Sequence, residues 1–150
     1  MSLWSKFVEW WRGSSVSRSG FKAPKEIRMT WKIVKVEGPI HDDLGLPDFG
    51  VIVSSDTMLE QAQTLLFCPL FTGDDAPEQL LPWHVKVVPE KKDNSAFTSS
   101  FGILSTKLVF PISLNEIDRD GRDRGRIDRP SRQGVAKVLG NWLPLFTDPA

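Results

Sequence analysis

The spacing of apolar residues changes character several times along this chain of 150 residues, and each change predicts an element. Leu3, Trp4, Phe7, Val8 and Trp11 recur at helical intervals, so residues 3–12 are expected to form an amphipathic helix with Ser2 as its N-cap. The serine- and glycine-rich stretch from Gly13 to Gly20 reads as a flexible linker. From Met29 the pattern shortens. Trp31, Ile33, Val34 and Val36 among Lys32 and Lys35 predict a strand over 30–37, followed by a polar loop from Gly38 to Asp48. Phe49 to Ser54 is a second strand, Thr57 to Ala62 a brief helical turn capped by Asp56, and Thr64 to Leu70 a third, buried strand. Trp83, Val85 and Val87 alternate with His84 and Lys86 and predict a half-buried strand over 82–88. Phe101 to Ser105 and Lys107 to Ile112 make two more strands or one bent one, and Ser131 caps a final helix over 132–142 that ends at Pro144.

Short strands at regular spacing, broken by turn residues, indicate a mainly β barrel or sandwich. Residues 1–28 then form a helix and linker, and 29–150 a single domain carrying a C-terminal helix. An apolar share of 40% and a charged share of 25% suit one ordinary core, built without a metal or disulfide staple. The one cysteine, Cys68, lies in the apolar run Leu65-Leu66-Phe67-Cys68 and reads as a small buried hydrophobe in a reducing compartment. No apolar run approaches the ~18–20 residues that span a bilayer, and Lys6, Glu9 and Arg12 interrupt the N-terminus, so a cytoplasmic location is expected.

Net charge is zero but unevenly spread. Residues 38–80 carry eight Asp or Glu and no Lys or Arg, which argues against a broad phosphate-binding face built from that segment. Asp118 to Arg132 interleaves aspartates with arginines. It is expected to be a solvated arm rather than a calcium loop, because the arginines neutralise the carboxylates.

The order of these pieces, with FGVIVSS, LLFCPLFTG, PWHVKV and GILSTKLVFPISL following the first strand and its long loop, resembles the CcdB/PemK/MazF superfamily over about residues 29–117. The resemblance implies a small SH3-like barrel, here with an added N-terminal helix. It implies a dimeric toxin of a bacterial toxin–antitoxin pair, cytoplasmic and without a cofactor. In the MazF/PemK branch it implies cleavage of single-stranded RNA, with an antitoxin-like protein as partner. The branch's site hydroxyl falls on Thr72, or one residue earlier on Phe71, and its site arginine falls on Asp48 or Phe49, so a cation must come from elsewhere, with Lys107 or His84 the candidates. The CcdB branch implies instead a non-catalytic barrel that binds a protein such as gyrase. The acidic middle of the chain favours that alternative, or a silenced toxin scaffold.

Each candidate also has a plainer reading. Thr72 suits a turn, hydrogen-bonded to its own backbone. His41, beside Asp42 and Asp43, is loop charge or a site base, and no second His or Cys stands at metal-ligand spacing. His84 and Trp83 are a wet strand histidine and a core tryptophan, or a base-stacking pair. Trp4, Phe7 and Trp11 pack on the barrel, bind a partner, or touch a membrane surface.

Overall fold

The computed structural model describes residues 28–37, 45–97, 99–118 and 124–142. The expected N-terminal helix, its linker, Trp4, Phe7, Trp11 and His41 lie outside these residues. Six antiparallel strands form the body: β1 (Ile33–Lys35), β2 (Phe49–Ile52), β3 (Leu65–Phe71), β4 (His84–Val87), β5 (Gly102–Ser105) and β6 (Phe110–Ile112). Two helices accompany them, α1 (Asp56–Ala62) and α2 (Arg129–Trp142).

β3 organises the sheet. One of its edges pairs with β2, and the order runs β1-β2-β3-β5-β4. The other edge is shared: Leu65 to Phe67 pair with β6, whereas Leu70 and Phe71 pair with β5. Pro69 falls between these two partners, where a ladder can spare the N–H that proline lacks.

Both faces of the central strands are buried. Val34, Ile52, Leu65 and Phe67 pack with α1's Leu59 and with Ile112 on one face. Ile33, Val51, Cys68 and Leu70 pack with Val85, Leu104, Ile127 and α2's Val135 and Leu139 on the other. This double burial explains why Ile33-Val34 and Val51-Ile52 are consecutive apolar pairs rather than strict alternations. Cys68 is fully buried among these residues, and desolvation pushes its thiol up to about 12.

Three local expectations are corrected. Ser55, not Asp56, caps α1, its hydroxyl accepting from the Met58 N–H at 3.2 Å. Asp56 instead accepts from the Met29 and Thr30 N–H groups at 2.7 and 3.2 Å, anchoring the chain ahead of β1. Asp128, not Ser131, holds the start of α2, accepting from the Ser131 N–H at 2.9 Å, while the Ser131 hydroxyl accepts from the Val88 N–H at 2.8 Å. The charged segment is no solvated arm where it is described. Arg126 and Ile127 bridge to Lys32 and Pro89, Ile127 is fully buried, and the Arg126 Nε–H donates to the Thr30 carbonyl at 3.1 Å. One apolar residue amid the charges, Ile127, ties the segment to the core.

Asp56→Ala is expected to destabilise the fold by about 2 kcal/mol, because it strands two backbone donors at once. Urea denaturation checks this, and Ser55→Ala, which removes a single exposed cap bond, should cost only about 1 kcal/mol.

Candidate active site

The turn before β4 folds back on itself. The His84 N–H donates to the Leu81 carbonyl at 2.9 Å, and the Leu81 N–H donates to His84 Nδ1 at 3.0 Å. A backbone N–H can only donate, so Nδ1 must be an acceptor, and the neutral ring carries its proton on Nε2. His84 is therefore a fixed hydrogen-bond donor at Nε2. Its pKa is lowered from the ordinary 6.5, which desolvation causes and which the occupied Nδ1 also favours. The folded state thus binds the proton less readily than the unfolded chain. Its contribution to stability is complete above about pH 6.5 and falls away as pH drops below that value. Denaturation midpoints measured from pH 8 to 5 should show this loss, and His84→Gln should remove that component of it.

Trp83 is fixed by its backbone and its ring. The Thr106 N–H and hydroxyl both donate to the Trp83 carbonyl, at 2.9 and 2.6 Å. The Lys107 ammonium sits 4.7 Å from the centre of the Trp83 ring, a cation–π distance. The His84 ring meets Trp83 edge-on, with centroids 5.8 Å apart.

These groups line a cavity of about 280 Å³. Phe71, Pro77 and Leu108 give it apolar walls, and Asp75 and Ser105 add a carboxylate and a hydroxyl. The β4–β5 register sets His84 opposite Ser105, so their side chains share one face. The sequence identified Trp83, His84 and Lys107 individually. Ser105 and Asp75 were missed, because their place depends on strand register and on the short helical turn Gly73–Asp75.

Thr72 is not part of this cavity. Phe71 lines it, and alternation in the extended backbone sends Thr72 to the opposite face. The Thr72 methyl and a Leu70 methyl both stand within 3.2 Å of where a Cβ on Gly102 would lie, which places Thr72 on the α2 side of the sheet. Phe49 packs against the core of that same side, and the Arg124 guanidinium stands 5.2 Å from the Phe49 ring centre. Arg124 pairs with Asp118 at 3.9 Å, and its Nε is buried without a partner. Asp48 is exposed at the head of β2, where its carbonyl accepts from the Val36 N–H at 2.8 Å, and it does not line the cavity. Among the described residues no group of His, Cys, Asp and Glu is placed to hold a metal, and no helix is long and apolar enough to cross a membrane.

Comparison with solved structures then gives the fold a precedent. A mycobacterial endoribonuclease in complex with its cognate antitoxin superposes with a TM-score of 0.56 at 14% identity, covering 78% of this chain and 95% of that one. A second mycobacterial endoribonuclease gives 0.55 at 12% identity, covering 80% and 94%. The chain shares their fold. The Mycobacterium tuberculosis toxin MazF-mt6 lies further off, at 0.49 and 14% identity, covering 73% and 93%. No protein-family model and no curated protein matches the sequence. The mainly β architecture that the sequence predicts is thus present as six antiparallel strands, in a fold shared with the first two of these structures.

Proposed function

We propose that this protein is a toxin-type endoribonuclease that cleaves single-stranded RNA without a metal and is restrained by an antitoxin-like partner. The observation that carries the reading is the cavity itself. It gathers a cation, a fixed donor, a carboxylate and an aromatic ring on a fold shared with two endoribonucleases, one of them bound to its antitoxin. The bridge from Val36 to Ile117, beyond β6, supports an SH3-like barrel closure, and a homodimer is part of the same proposal.

The chemistry follows from the donor set. The Asp75 carboxylate takes the proton of a ribose 2′-hydroxyl as its oxygen attacks phosphorus. The O2′–P bond forms, the P–O5′ bond breaks, and the leaving oxygen takes a proton from water, which gives a cyclic phosphate and a 5′-hydroxyl. Lys107 stabilises the charge that grows on the phosphate oxygens. His84, with Nδ1 occupied, cannot act as the base. Its Nε2–H holds a phosphate or base oxygen in place. Trp83 offers a flat apolar surface to a neighbouring base.

The exposed Asp74, next to Asp75, favours a second reading, a non-catalytic barrel that binds a basic protein surface. Induced expression followed by primer extension on total RNA separates the two. Growth arrest with discrete new RNA ends supports cleavage. Arrest with intact RNA supports protein binding. Ends that vanish in Thr72→Ala but persist in Lys107→Met would move the chemistry to the face that holds Thr72 and Arg124.

A further inference from the structure

The sheet face that carries the cavity continues past it. Paired residues of adjacent strands share a face, and so do alternate residues of one strand. His84 pairs with Ser105, Lys86 pairs with Ile103, and Ile103 pairs in turn with the cavity residue Phe71. Lys86 therefore stands on the face of His84, one row further along β4 and about 7 Å away. Phe101, two residues before Ile103, joins that row, with the exposed Lys86 ammonium 4.2 Å from its ring centre.

This row repeats the arrangement at the cavity, where the Lys107 ammonium stands 4.7 Å from the ring centre of Trp83. Each lysine is held by an aromatic ring, and among the described residues neither forms a salt bridge. Lys35, Arg124 and Arg132 are different, since they pair with Glu37, Asp118 and Glu90. A ring face attracts an ammonium without neutralising it, so both charges stay available to an anion. The spacing favours a polynucleotide. The backbone repeat of a nucleotide has twice as many bonds as that of an amino acid, so one extended nucleotide spans two residues of a strand. His84 Nε2 and Lys86 Nζ, on alternate residues of β4, thus keep step with successive phosphates. Rings beside the cations suit a strand whose bases are unpaired.

We infer that Lys86 and Phe101 form a second binding station for single-stranded RNA, one nucleotide beyond the cavity, with the Lys86 ammonium on a phosphate and the Phe101 ring holding that ammonium in place. The station rests on the reading of the cavity as an RNA site and extends it. Lys86 takes no part in bond breaking there. It fixes the register in which the strand crosses the cavity.

Fluorescence anisotropy of the full chain with a labelled oligodeoxyuridylate of about eight nucleotides tests the station. This probe lacks the 2′-hydroxyl and cannot be cut, so binding is read apart from reaction. Lys86→Met keeps the apolar stem over Phe101, and its melting temperature should match that of the unaltered chain. Its affinity for the probe should fall several-fold at low salt. The slope of log affinity against log salt should shrink by about 0.7, the share of one phosphate on a single strand. Lys86→Arg should restore both. Unchanged affinity and slope in Lys86→Met, beside continued cleavage of ribose strands by the unaltered protein, would overturn the station and leave the cavity reading standing. No binding and no cleavage by the unaltered chain would overturn both. Polyglutamate of matched charge binding as tightly as the probe, and weakened equally by Lys86→Met, would overturn the station by making the row a site for acidic protein.

Discussion

Gly50→Ala is expected to abolish cooperative folding. Gly50 sits in β2 opposite Pro69, with β1 on one side and β3 on the other. A Cβ there would stand 2.2 Å from two ring carbons of Phe67 and 2.4 Å from the Cys68 carbonyl oxygen. Neither neighbour can give way. Phe67 is one of the largest fully buried side chains, and the carbonyl belongs to the central strand of the sheet. Overpacking in a core costs about 1–3 kcal/mol when side chains can shift, and a clash with backbone should exceed that range. Gly140→Ala is the contrasting control. Nothing lies within 4 Å of a Cβ at that position in α2, so alanine should stabilise the helix by about 0.5–1 kcal/mol. Urea denaturation of the two variants should therefore move in opposite directions. A folded Gly50→Ala with an unshifted midpoint would contradict the packing described around β2 and β3.

Lys107→Met is expected to reduce RNA cleavage by about two to three orders of magnitude, the effect of losing one preorganised charge at a developing oxyanion. Methionine keeps much of the length and apolar stem of lysine, so contact with Trp83 survives while the ammonium is lost. Lys107 is exposed on a turn, and the substitution should leave thermal stability nearly unchanged. RNA affinity at low salt should fall less than the cleavage rate, because the charge acts chiefly in the transition state. Equal loss of binding and rate would instead mark Lys107 as a simple phosphate anchor.

Much of the architecture was legible in the sequence, for identifiable reasons. β-branched and aromatic runs marked the strands, because each strand fills one or both of the two cores. α2 was recognisable from Val135, Val138, Leu139 and Trp142, of which Val135 and Leu139 are buried. Caps were less legible. Ser55 and Asp56 are adjacent and chemically equivalent as caps, and only the tertiary position of Met29 decides which of them serves α1. The charged stretch around Ile127 misled for a similar reason. Composition registers Arg and Asp, whereas the bridges to Lys32 and Pro89 depend on chain path.

The candidate site was legible residue by residue but not as an assembly. Trp83, His84 and Lys107 are unusual residues in short motifs and attract attention on their own. That they meet depends on β4 pairing with β5 in one register, with Ser105 opposite His84. A shift of one residue would have sent His84 to the other face. The same alternation separates Thr72 from Lys107, a distinction of one position at the end of β3 that no sequence pattern carries. The locked tautomer of His84 is a tertiary fact as well, since it arises from the bond that the Leu81 N–H makes to Nδ1.

The proposal that this cavity cuts RNA is tested most directly by incubating the purified chain with a defined single-stranded RNA in excess chelator and identifying the chemistry of the new ends. The account predicts discrete fragments ending in a 2′,3′-cyclic phosphate and a 5′-hydroxyl, formed by the unaltered protein and nearly absent with Lys107→Met. Intact RNA, or cleavage undiminished by Lys107→Met, would contradict it.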